Sequence, residues 1–487
     1  MPEPEVEISA GRVRGRREVG LEVYCGIPFA APATGANRFR PPAPTHAWTG
    51  TRDATRPAAI CRQAPSRLGY AMGHPNATQD EDCLTLTVWT PRGDGAHRPA
   101  PMPVLVWLHG GAYVSGGGAL DWYSGARLAR EGGIVVVAPN YRLGALGWLH
   151  HRDVCAGNLG LLDQHAALEW VQQNIAAFGG DPGNVTLWGQ SAGAQSIALL
   201  LMRAPSRGLF RRAILQSPPL GSPPRSPDDA TAAADSLMRE LGIEASKDAL
   251  VRLQQVPVAS LLSAQGTVAG RVAAESGSAG RALLPFGPVA DGAILPASAD
   301  YATALREAAG RVDVLIGTTR EEMAIFFAAN PAMQSLQRAP IPPEEIARLQ
   351  ARRPAGSTAQ LFADFVGERT FVNGSLAWAG QAAAAGRSAF VYQFDWSSPD
   401  RRLAACHCLD LPFVFGTREA FASAPMLAGA DAGEIDALSS VMRASWIAFA
   451  RTGDPNHRAL PPWPAFDERR RATMHFDQVC GAAGAPA

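Results

Sequence analysis

A serine flanked by glycines is the feature of this 487-residue sequence with the clearest chemical meaning. Residues 189–193 read Gly-Gln-Ser-Ala-Gly, between a short apolar segment and a helix-like segment. A serine on a sharp turn from a strand into a helix is exposed for nucleophilic attack, and its neighbours must be small because strand and helix lie close together. Ser191 is therefore a candidate nucleophile. The alternative is an ordinary glycine-rich turn, since the bare pattern also occurs by chance.

A second glycine-containing segment precedes the candidate nucleophile. His-Gly-Gly-Ala-Tyr at 109–113 directly follows the apolar run 104–108. Attack on a carbonyl group produces an oxyanion, which backbone N–H groups can stabilise when small residues let the chain approach closely. The expected donors are the amides of Gly111, Ala112 and Ala192. A flexible glycine-rich surface loop is the alternative, and Gly-Gly-Gly at 116–118 is consistent with it.

A nucleophilic serine also needs a base that takes its proton and an acid that orients the base. From the residues alone, any of the ten histidines could be the base, and Asp291 could be the acid. The triplet Cys-His-Cys at 406–408 lacks the second pair of ligands that zinc sites normally show, so we expect no metal. Chemistry of this kind requires no cofactor, and none is expected.

Short apolar segments alternate with helix-like segments along most of the chain. Continuous apolar runs of this length are typical of strands covered on both faces, and the alternation indicates an α/β protein with a parallel sheet. The predicted strands are 104–108, 134–138, 185–188, 213–215, 312–316 and 390–394, and the predicted helices include 161–178 and 192–202. Without repeats or a long polar linker, residues 1–487 are expected to form a single elaborated domain. The Gly-, Ala- and Ser-rich residues 263–281 are expected to form a mobile loop over the sheet.

Charge and cysteine content exclude several classes of protein. Forty-four basic residues balance 44 acidic ones, which gives no electrostatic signature for nucleic acid or an anionic membrane. No apolar run approaches the roughly 20 residues of a membrane span. The acidic start lacks the features of a secretory signal, so a cytoplasmic location is expected. An odd count of seven cysteines is not typical of a disulfide framework.

With these residues in view, the sequence resembles the type-B carboxylesterases, which include bacterial para-nitrobenzyl esterases and animal cholinesterases. The similar motifs extend over nearly the whole chain: 24–30, 37–42, 81–89, 140–144, 157–164, 178–182 and 446–456. The resemblance implies an α/β-hydrolase fold, with a large, mostly parallel central sheet flanked by helices and long insertions forming a cap over an active-site gorge. It implies a serine carboxylic ester hydrolase that acts through an acyl-enzyme.

The resemblance also implies the two missing members of a catalytic triad. The family's acid is a glutamate five residues after a strand-ending glycine, which corresponds to Glu322 after Gly317. The family's histidine precedes an acidic-Leu-Pro-Phe-Val-Phe-Gly stretch, which corresponds to His407. The order Ser191, Glu322, His407 agrees with the chain order of α/β-hydrolases.

Several further roles follow from the resemblance alone. Arg38 is expected to pair with Glu81, and Arg142 with Asp163. Ser217 corresponds to a second serine behind the triad. In secreted relatives, residues that match Cys61 and Cys83 form a disulfide, which could stay reduced in a cytoplasmic protein.

The sequence departs from the family pattern around the expected site. Gln190 stands where the family usually has a glutamate, which should weaken stabilisation of a protonated histidine. Residues 61–83 contain no tryptophan, so there is no ring to hold a choline-like cation and cholinesterase activity is not expected. Aromatic residues near the motifs could line an apolar gorge or belong to the core: Tyr113, Trp122, Phe326, Phe327 and Phe413.

The expected substrate is a small-molecule ester with a short- to medium-chain or aryl group. A pathway-specific hydrolase or an acyltransferase with the same triad is the alternative. A non-catalytic adhesion module is disfavoured, because relatives of that kind lose members of the triad and this chain has all three. The sequence does not predict the oligomeric state.

Overall fold

The computed structural model of the protein, which describes residues 3–92, 101–275, 285–328 and 341–484, contains a central sheet of eleven strands. The strands in chain order are β1 Glu5–Ile8, β2 Gly11–Arg14, β3 Arg16–Glu18, β4 Leu21–Pro28, β5 Thr51–Asp53, β6 Ile60–Cys61, β7 Gln79–Asp80, β8 Thr85–Pro91, β9 Met102–Leu108, β10 Val135–Pro139, β11 Gly180–Gln190, β12 Arg212–Gln216, β13 Asp313–Thr319, β14 Ala389–Phe394, β15 Ala472–Phe476 and β16 Gly481–Gly484. The order in the central sheet is β16-β15-β14-β13-β12-β11-β9-β10-β8-β4-β3, and β1, β2 and β5 form a small separate sheet.

The middle of the central sheet is parallel. From β10 through β9 and β11 to β15, every neighbouring pair runs in the same direction, while β8, β4, β3 and β16 pair antiparallel at the two sides. All six predicted strands lie in this parallel region. The prediction of a mostly parallel sheet is therefore confirmed.

Strand β9 shows why these segments are continuously apolar. Val104, Val106 and Leu108 belong to the core on one face of the sheet, and Leu105 and Trp107 belong to the core on the other. All five side chains are completely buried. Since alternate residues of a strand point to opposite faces, helices must cover both faces to exclude water from them.

The helices that cover the two faces lie between successive strands. They are α1 Gly69–Met72, α2 Ala126–Gly132, α3 Gly144–Trp148, α4 Leu159–Asn174, α5 Ala192–Met202, α6 Pro227–Glu240, α7 Ala249–Gln255, α8 Val258–Glu275, α9 Tyr301–Ala309, α10 Ala324–Ala328, α11 Pro343–Arg352, α12 Thr358–Gly367, α13 Asn373–Ala384, α14 Leu411–Phe415 and α15 Ala432–Thr452. A π-helical turn, Glu368–Val372, joins α12 to α13. The predicted helix 192–202 matches α5, and the predicted helix 161–178 corresponds to α4 followed by a 3-10 turn, Ile175–Phe178. That residues 1–487 form a single domain stays a prediction.

The prediction of a mobile loop at 263–281 is wrong for residues 263–275, which belong to helix α8. Leu261, Ala264 and Val268 are buried with helical spacing, so the small residues between them hide an amphipathic pattern. Gln265 anchors the helix, because its Oε1 accepts a hydrogen bond from the backbone N–H of Ala145 at 2.7 Å. Residues 276–281 lie outside the described residues.

Two buried ion pairs tie the N-terminal region to the sheet, as the resemblance implied. Arg38 donates to both carboxylate oxygens of Glu81 at 2.7 and 2.6 Å. Arg142 donates to both oxygens of Asp163 at 2.8 and 2.6 Å and also to the carbonyl of Arg40 at 2.7 Å. Planar, two-point contacts of this kind are the strongest form of the arginine–carboxylate bond.

Within the described ranges, no helix combines the length and apolar character needed to cross a membrane. In the same residues, no group of three or more His, Cys, Asp or Glu side chains is gathered so that it could hold a metal ion.

We predict that Asp163→Asn lowers the free energy of unfolding by about 3–5 kcal/mol, because it leaves the buried Arg142 guanidinium without a countercharge. Chemical denaturation of wild type and variant measures this loss. Glu419→Gln is the matched control, since it removes a carboxylate from the exposed Arg127–Glu419 pair and should change stability by no more than about 1 kcal/mol. Equal effects of the two changes would contradict the prediction.

Candidate active site

Ser191 lies on the sharp turn between β11 and α5. Its backbone has φ 54° and ψ −121°, a left-handed conformation that is strained for a residue with a side chain. A Cβ atom on Gly193 would lie 2.0 Å from the carbonyl oxygen of Leu108, and a Cβ on Gly189 would lie 2.6 Å from the backbone carbon of Gly193. The glycines therefore permit the close packing that the turn requires, and the predicted strand–turn–helix setting of Ser191 is what the structure shows.

His407 and Glu322 meet although 85 residues separate them in the chain. Glu322 lies just beyond the end of β13, and its Oε2 is 2.5 Å from Nδ1 of His407. Its other oxygen accepts a hydrogen bond from the backbone N–H of Thr319 at 2.8 Å. Burial lowers the pKa of His407, but the neighbouring Cys408 sulfur and the Glu322 carboxylate favour the charged ring more strongly, so the pKa lies well above its usual value.

Asp291, the other candidate acid, has a different environment. One of its carboxylate oxygens accepts hydrogen bonds from the backbone N–H groups of residues 293, 294 and 295, at 2.8 to 3.0 Å. The other accepts from Nδ2 of Asn158 at 3.0 Å. Both oxygens thus stabilise a turn, whereas Glu322 is bonded directly to the histidine.

The second ring nitrogen of His407 faces Gln190. Nε2 of the Gln190 amide is 3.0 Å from Nε2 of His407 and 3.3 Å from Sγ of Cys408. Because Nδ1 of the ring faces a carboxylate, that nitrogen carries the proton and Nε2 accepts from the amide. The residue that precedes Ser191 therefore contacts the nitrogen from which a base would act.

The glycine-containing segment 109–113 lies against the turn that carries Ser191. A Cβ on Gly110 would approach the Ser191 Cβ to 3.1 Å. Gly111, Ala112 and Tyr113 have φ values of 111°, 55° and 61°, three consecutive residues in a region that side chains rarely adopt. An irregular backbone so close to the serine has the form of an oxyanion loop rather than of a flexible surface loop.

His109 anchors the start of this loop. Its ring stacks on Tyr141 with 4.2 Å between centroids, and its carbonyl accepts a hydrogen bond from the Tyr141 hydroxyl at 2.6 Å. Burial lowers the pKa of His109 to about 4, so the ring is neutral near neutral pH. His109 therefore has the contacts of a structural residue, whereas His407 lies between Glu322 and the residue that precedes Ser191.

A buried polar network lies behind His407, and sequence reasoning did not identify it. Oδ2 of Asp410 accepts hydrogen bonds from Nε2 of Gln216 at 2.5 Å and from the Tyr392 hydroxyl at 3.3 Å. Burial raises the pKa of Asp410 to about 6. The neighbouring Ser217, which the resemblance placed behind the triad, is fully buried and donates its backbone N–H to the carbonyl of Gly317 at 2.7 Å. In the sequence, Asp410 could have been identified as the acidic residue of the Asp-Leu-Pro-Phe-Val-Phe-Gly stretch that follows His407.

Aromatic rings flank His407 on two sides. Phe326 and Phe371 have centroids 5.4 and 5.0 Å from the imidazole. Phe326 was predicted, but Phe371 was not, because it lies in the π-helical turn and no motif points to it. Phe327 packs edge-on against Phe362, with 5.9 Å between their centroids.

The structure favours the core interpretation for the other three aromatic candidates. Tyr113 packs on Trp148, and its hydroxyl donates to Gln195. Trp122 stacks on a neighbouring phenylalanine, and Phe413 is completely buried between further aromatic rings. Their contacts are with the protein interior, so Phe326 is the predicted aromatic that the structure places beside His407, while Phe327 lines a separate cavity.

A cavity of about 1060 Å³ opens on the other side of Glu322. Its lining is strongly charged and includes Arg348, Arg353 and Glu368, but neither Ser191 nor His407. Because the reacting groups do not face it, this cavity is not the place where an acyl group would bind.

Four cysteines named in the sequence analysis are free thiols: Cys61, Cys83, Cys406 and Cys408. Cys61 and Cys83 are both buried, and a hydrogen bond that the Cys83 thiol donates to Cys61, together with burial, raises the pKa of Cys83 well above its usual value. The disulfide found in secreted relatives is not formed here. Cys406 and Cys408 are also buried, as expected for small apolar side chains.

Comparison with known proteins agrees with this geometry. The model of the carboxylesterase family matches residues 2–353 and 343–481. A probable N-octanoylanthranilate hydrolase of Rhodococcus erythropolis is 39% identical, over 98% of this chain and 99% of that protein. The para-nitrobenzyl esterase of Bacillus subtilis is 36% identical, over 96% and 93%.

A solved structure extends the comparison to the fold. The carboxylesterase EST55 of Geobacillus stearothermophilus superposes with a TM-score of 0.85 at 37% identity, covering 99% of this chain and 98% of that one. The expected α/β-hydrolase fold is thereby confirmed. With a serine on a sharp strand–helix turn, a glycine-containing loop beside it and a buried histidine–glutamate pair on that fold, the chain belongs to the carboxylesterase family and is a serine carboxylic ester hydrolase.

Proposed function

We propose that Ser191, His407 and Glu322 are the catalytic triad of this carboxylesterase. The observation that carries the assignment is the buried Nδ1–Oε2 hydrogen bond of 2.5 Å between His407 and Glu322, beside a strained serine turn. A carboxylate at Nδ1 keeps the proton on that nitrogen and leaves the Nε2 lone pair free to act as a base.

The reaction then proceeds in two steps. The Ser191 hydroxyl attacks the ester carbonyl as His407 takes its proton, and the imidazolium returns that proton to the departing alcohol. Water, deprotonated by the same nitrogen, attacks the acyl-enzyme and releases the acid. Glu322 stabilises the imidazolium in both steps but stays ionised throughout.

The amides of Gly111, Ala112 and Ala192 are the proposed oxyanion donors. Two features support this: segment 109–113 approaches Ser191 closely, and Ala192 is the residue after the nucleophile. Each donor of this kind contributes about 3–4 kcal/mol to stabilisation of the transition state.

The proposed substrates are small esters with short- to medium-chain or aryl groups. The support is the apolar environment of His407, where Phe326 and Phe371 offer ring faces rather than charges. Two relatives are named for aromatic compounds, N-octanoylanthranilate and a para-nitrobenzyl ester, and the first of these keeps a specialised hydrolase as the second candidate. We also propose a cytoplasmic location, which the seven free thiols favour because reducing compartments maintain them.

We predict that the protein hydrolyses para-nitrophenyl acetate, butyrate and octanoate and that Ser191→Ala abolishes turnover. Release of para-nitrophenolate measures the rate, and the chain-length profile gives the size of the acyl pocket. Circular dichroism of the variant checks that the fold is retained. An active Ser191→Ala variant would contradict the assignment, and inactivity of both proteins would favour the specialised hydrolase.

A second prediction separates the two candidate acids. Glu322→Gln should lower kcat by about 10⁴-fold, because the amide can hold His407 in the wrong tautomer and cannot stabilise the imidazolium. Asp291→Asn is the matched control and should keep kcat within a few-fold of wild type. Steady-state hydrolysis of para-nitrophenyl butyrate measures both, and the reverse order of effects would show that Asp291 is the acid.

A further inference from the structure

Gln190, the residue before the nucleophile, is placed to control the histidine. This residue is completely buried, at 1% exposure, and its side-chain amide bonds to His407 and Cys408. We propose that Gln190 is a positioning residue that holds Nε2 of His407 in the resting enzyme, and that its lack of charge extends catalysis to lower pH. This inference rests on the proposed triad.

The amide of Gln190 uses both of its N–H groups. One donates to Nε2 of His407 and the other to Sγ of Cys408, at 3.0 and 3.3 Å. Two bonds to consecutive residues fix the orientation of the amide and of the ring together. The Oε1 atom of Gln190 lies beside Gly110: a Cβ atom built on Gly110 would be 2.4 Å from this oxygen.

Cys408 completes this arrangement. Its backbone has φ 73°, a left-handed conformation that favours glycine. Its sulfur supplies an acceptor for the second N–H of Gln190. Without that acceptor, a buried N–H would lose a hydrogen bond, which is unfavourable.

A donating amide favours the neutral form of His407. A neutral imidazole accepts a hydrogen bond at Nε2, but a protonated ring carries a hydrogen there and repels the donor. A carboxylate at this position would act in the opposite sense, because it attracts the protonated ring. Since only the neutral ring can take the Ser191 proton, the amide keeps more of the enzyme in its active form as the pH falls.

The other titratable groups around His407 do not remove this distinction. Glu322 faces Nδ1 from the turn after β13, and Cys408 and Asp410 lie on the segment that carries the histidine. These groups are the same whichever residue stands at 190. At Nε2 the contact is the uncharged amide of Gln190, which also bonds to Sγ of Cys408, and the uncharged rings of Phe326 and Phe371 pack near the imidazole.

The amide must also release Nε2 during turnover. Substrate binding places the Ser191 hydroxyl against this nitrogen, so the Gln190 donor and the serine compete for one lone pair. Rotation of the amide about its terminal torsion, which is a soft coordinate, would withdraw the donor and release that lone pair. A methionine of similar size has no N–H group to place on this nitrogen.

The test compares the pH dependence of kcat/KM for wild type, Gln190→Glu and Gln190→Met. The substrate is para-nitrophenyl butyrate, and the pH is varied from about 4.5 to about 9. The acid limb should move to higher pH by about one unit or more in Gln190→Glu, since an opposite charge at this distance shifts a histidine by roughly that amount. Below the limb, kcat/KM then falls at least about tenfold relative to wild type. Gln190→Met should show an intermediate limb, because it removes the donor without adding a charge.

Gln255→Glu is the matched control, because the same change of charge at an exposed residue of α7 should leave the limb unchanged. The rate of Ser191 phosphonylation by a fluorophosphonate, followed by mass spectrometry at the same pH values, repeats the measurement without an ester substrate. Limbs in the order wild type, methionine, glutamate support the proposal. Coincident limbs in folded variants, even with lower plateaus, would overturn it and show that Gln190 only fills space.

Failure of the triad assignment would look different. In that case wild type itself neither hydrolyses the ester nor becomes labelled at Ser191. If Gln190→Glu does not fold, the methionine variant still decides the question, since a limb identical to that of wild type contradicts the role of the amide donor.

Discussion

The hydrogen bond between His407 and Glu322 is the interaction on which the site depends. It joins the turn after β13 to the segment that contains His407, 85 residues further along the chain. Both side chains are almost completely buried. A buried carboxylate is tolerated only when it is paired and hydrogen-bonded, and Glu322 meets both conditions through His407 and the N–H of Thr319. The central sheet fixes the position of Glu322, because β13 ends immediately before the turn that carries it.

The nucleophile depends on a steric constraint rather than on charge. The turn at Ser191 brings α5 against the carboxyl ends of β9 and β11, where a single methyl group on Gly193 would overlap the carbonyl of Leu108. The strain of the turn is maintained because residues 185–190 at the end of β11 and all of α5 are buried. Functional groups at the carboxyl ends of parallel strands are typical of open α/β sheets, and here Ser191, segment 109–113 and Glu322 all follow such ends.

Local chemistry was readable from the sequence, and long-range pairing was not. The serine turn and the strands of the parallel sheet could be predicted because glycine placement and apolar runs act within a few residues. No spacing argument could select His407 from ten histidines, since its partner lies 85 residues away, and that pairing came from the family resemblance. Phe371 was missed for the same reason, because its position beside the ring depends on how a helical insertion packs. The sequence predicts a loop in part of helix α8 because the Gly, Ala and Ser residues there conceal the helical spacing of the buried Leu261, Ala264 and Val268.

The charges around His407 are distributed unequally across the ring, and this asymmetry explains how a base can work in so buried a site. The carboxylate of Glu322 faces Nδ1, and the charges of Glu322 and His407 act on Asp410 from nearby. Nε2 meets the neutral amide of Gln190, and two aromatic rings pack near the imidazole. A negative field on one side draws the ring proton to Nδ1 and increases the basicity of Nε2. A second carboxylate at position 190 would oppose this polarisation by stabilising a proton on Nε2 as well. A neutral residue there therefore complements Glu322, because it leaves the acid to set the tautomer while the nitrogen that must accept a proton stays unprotonated.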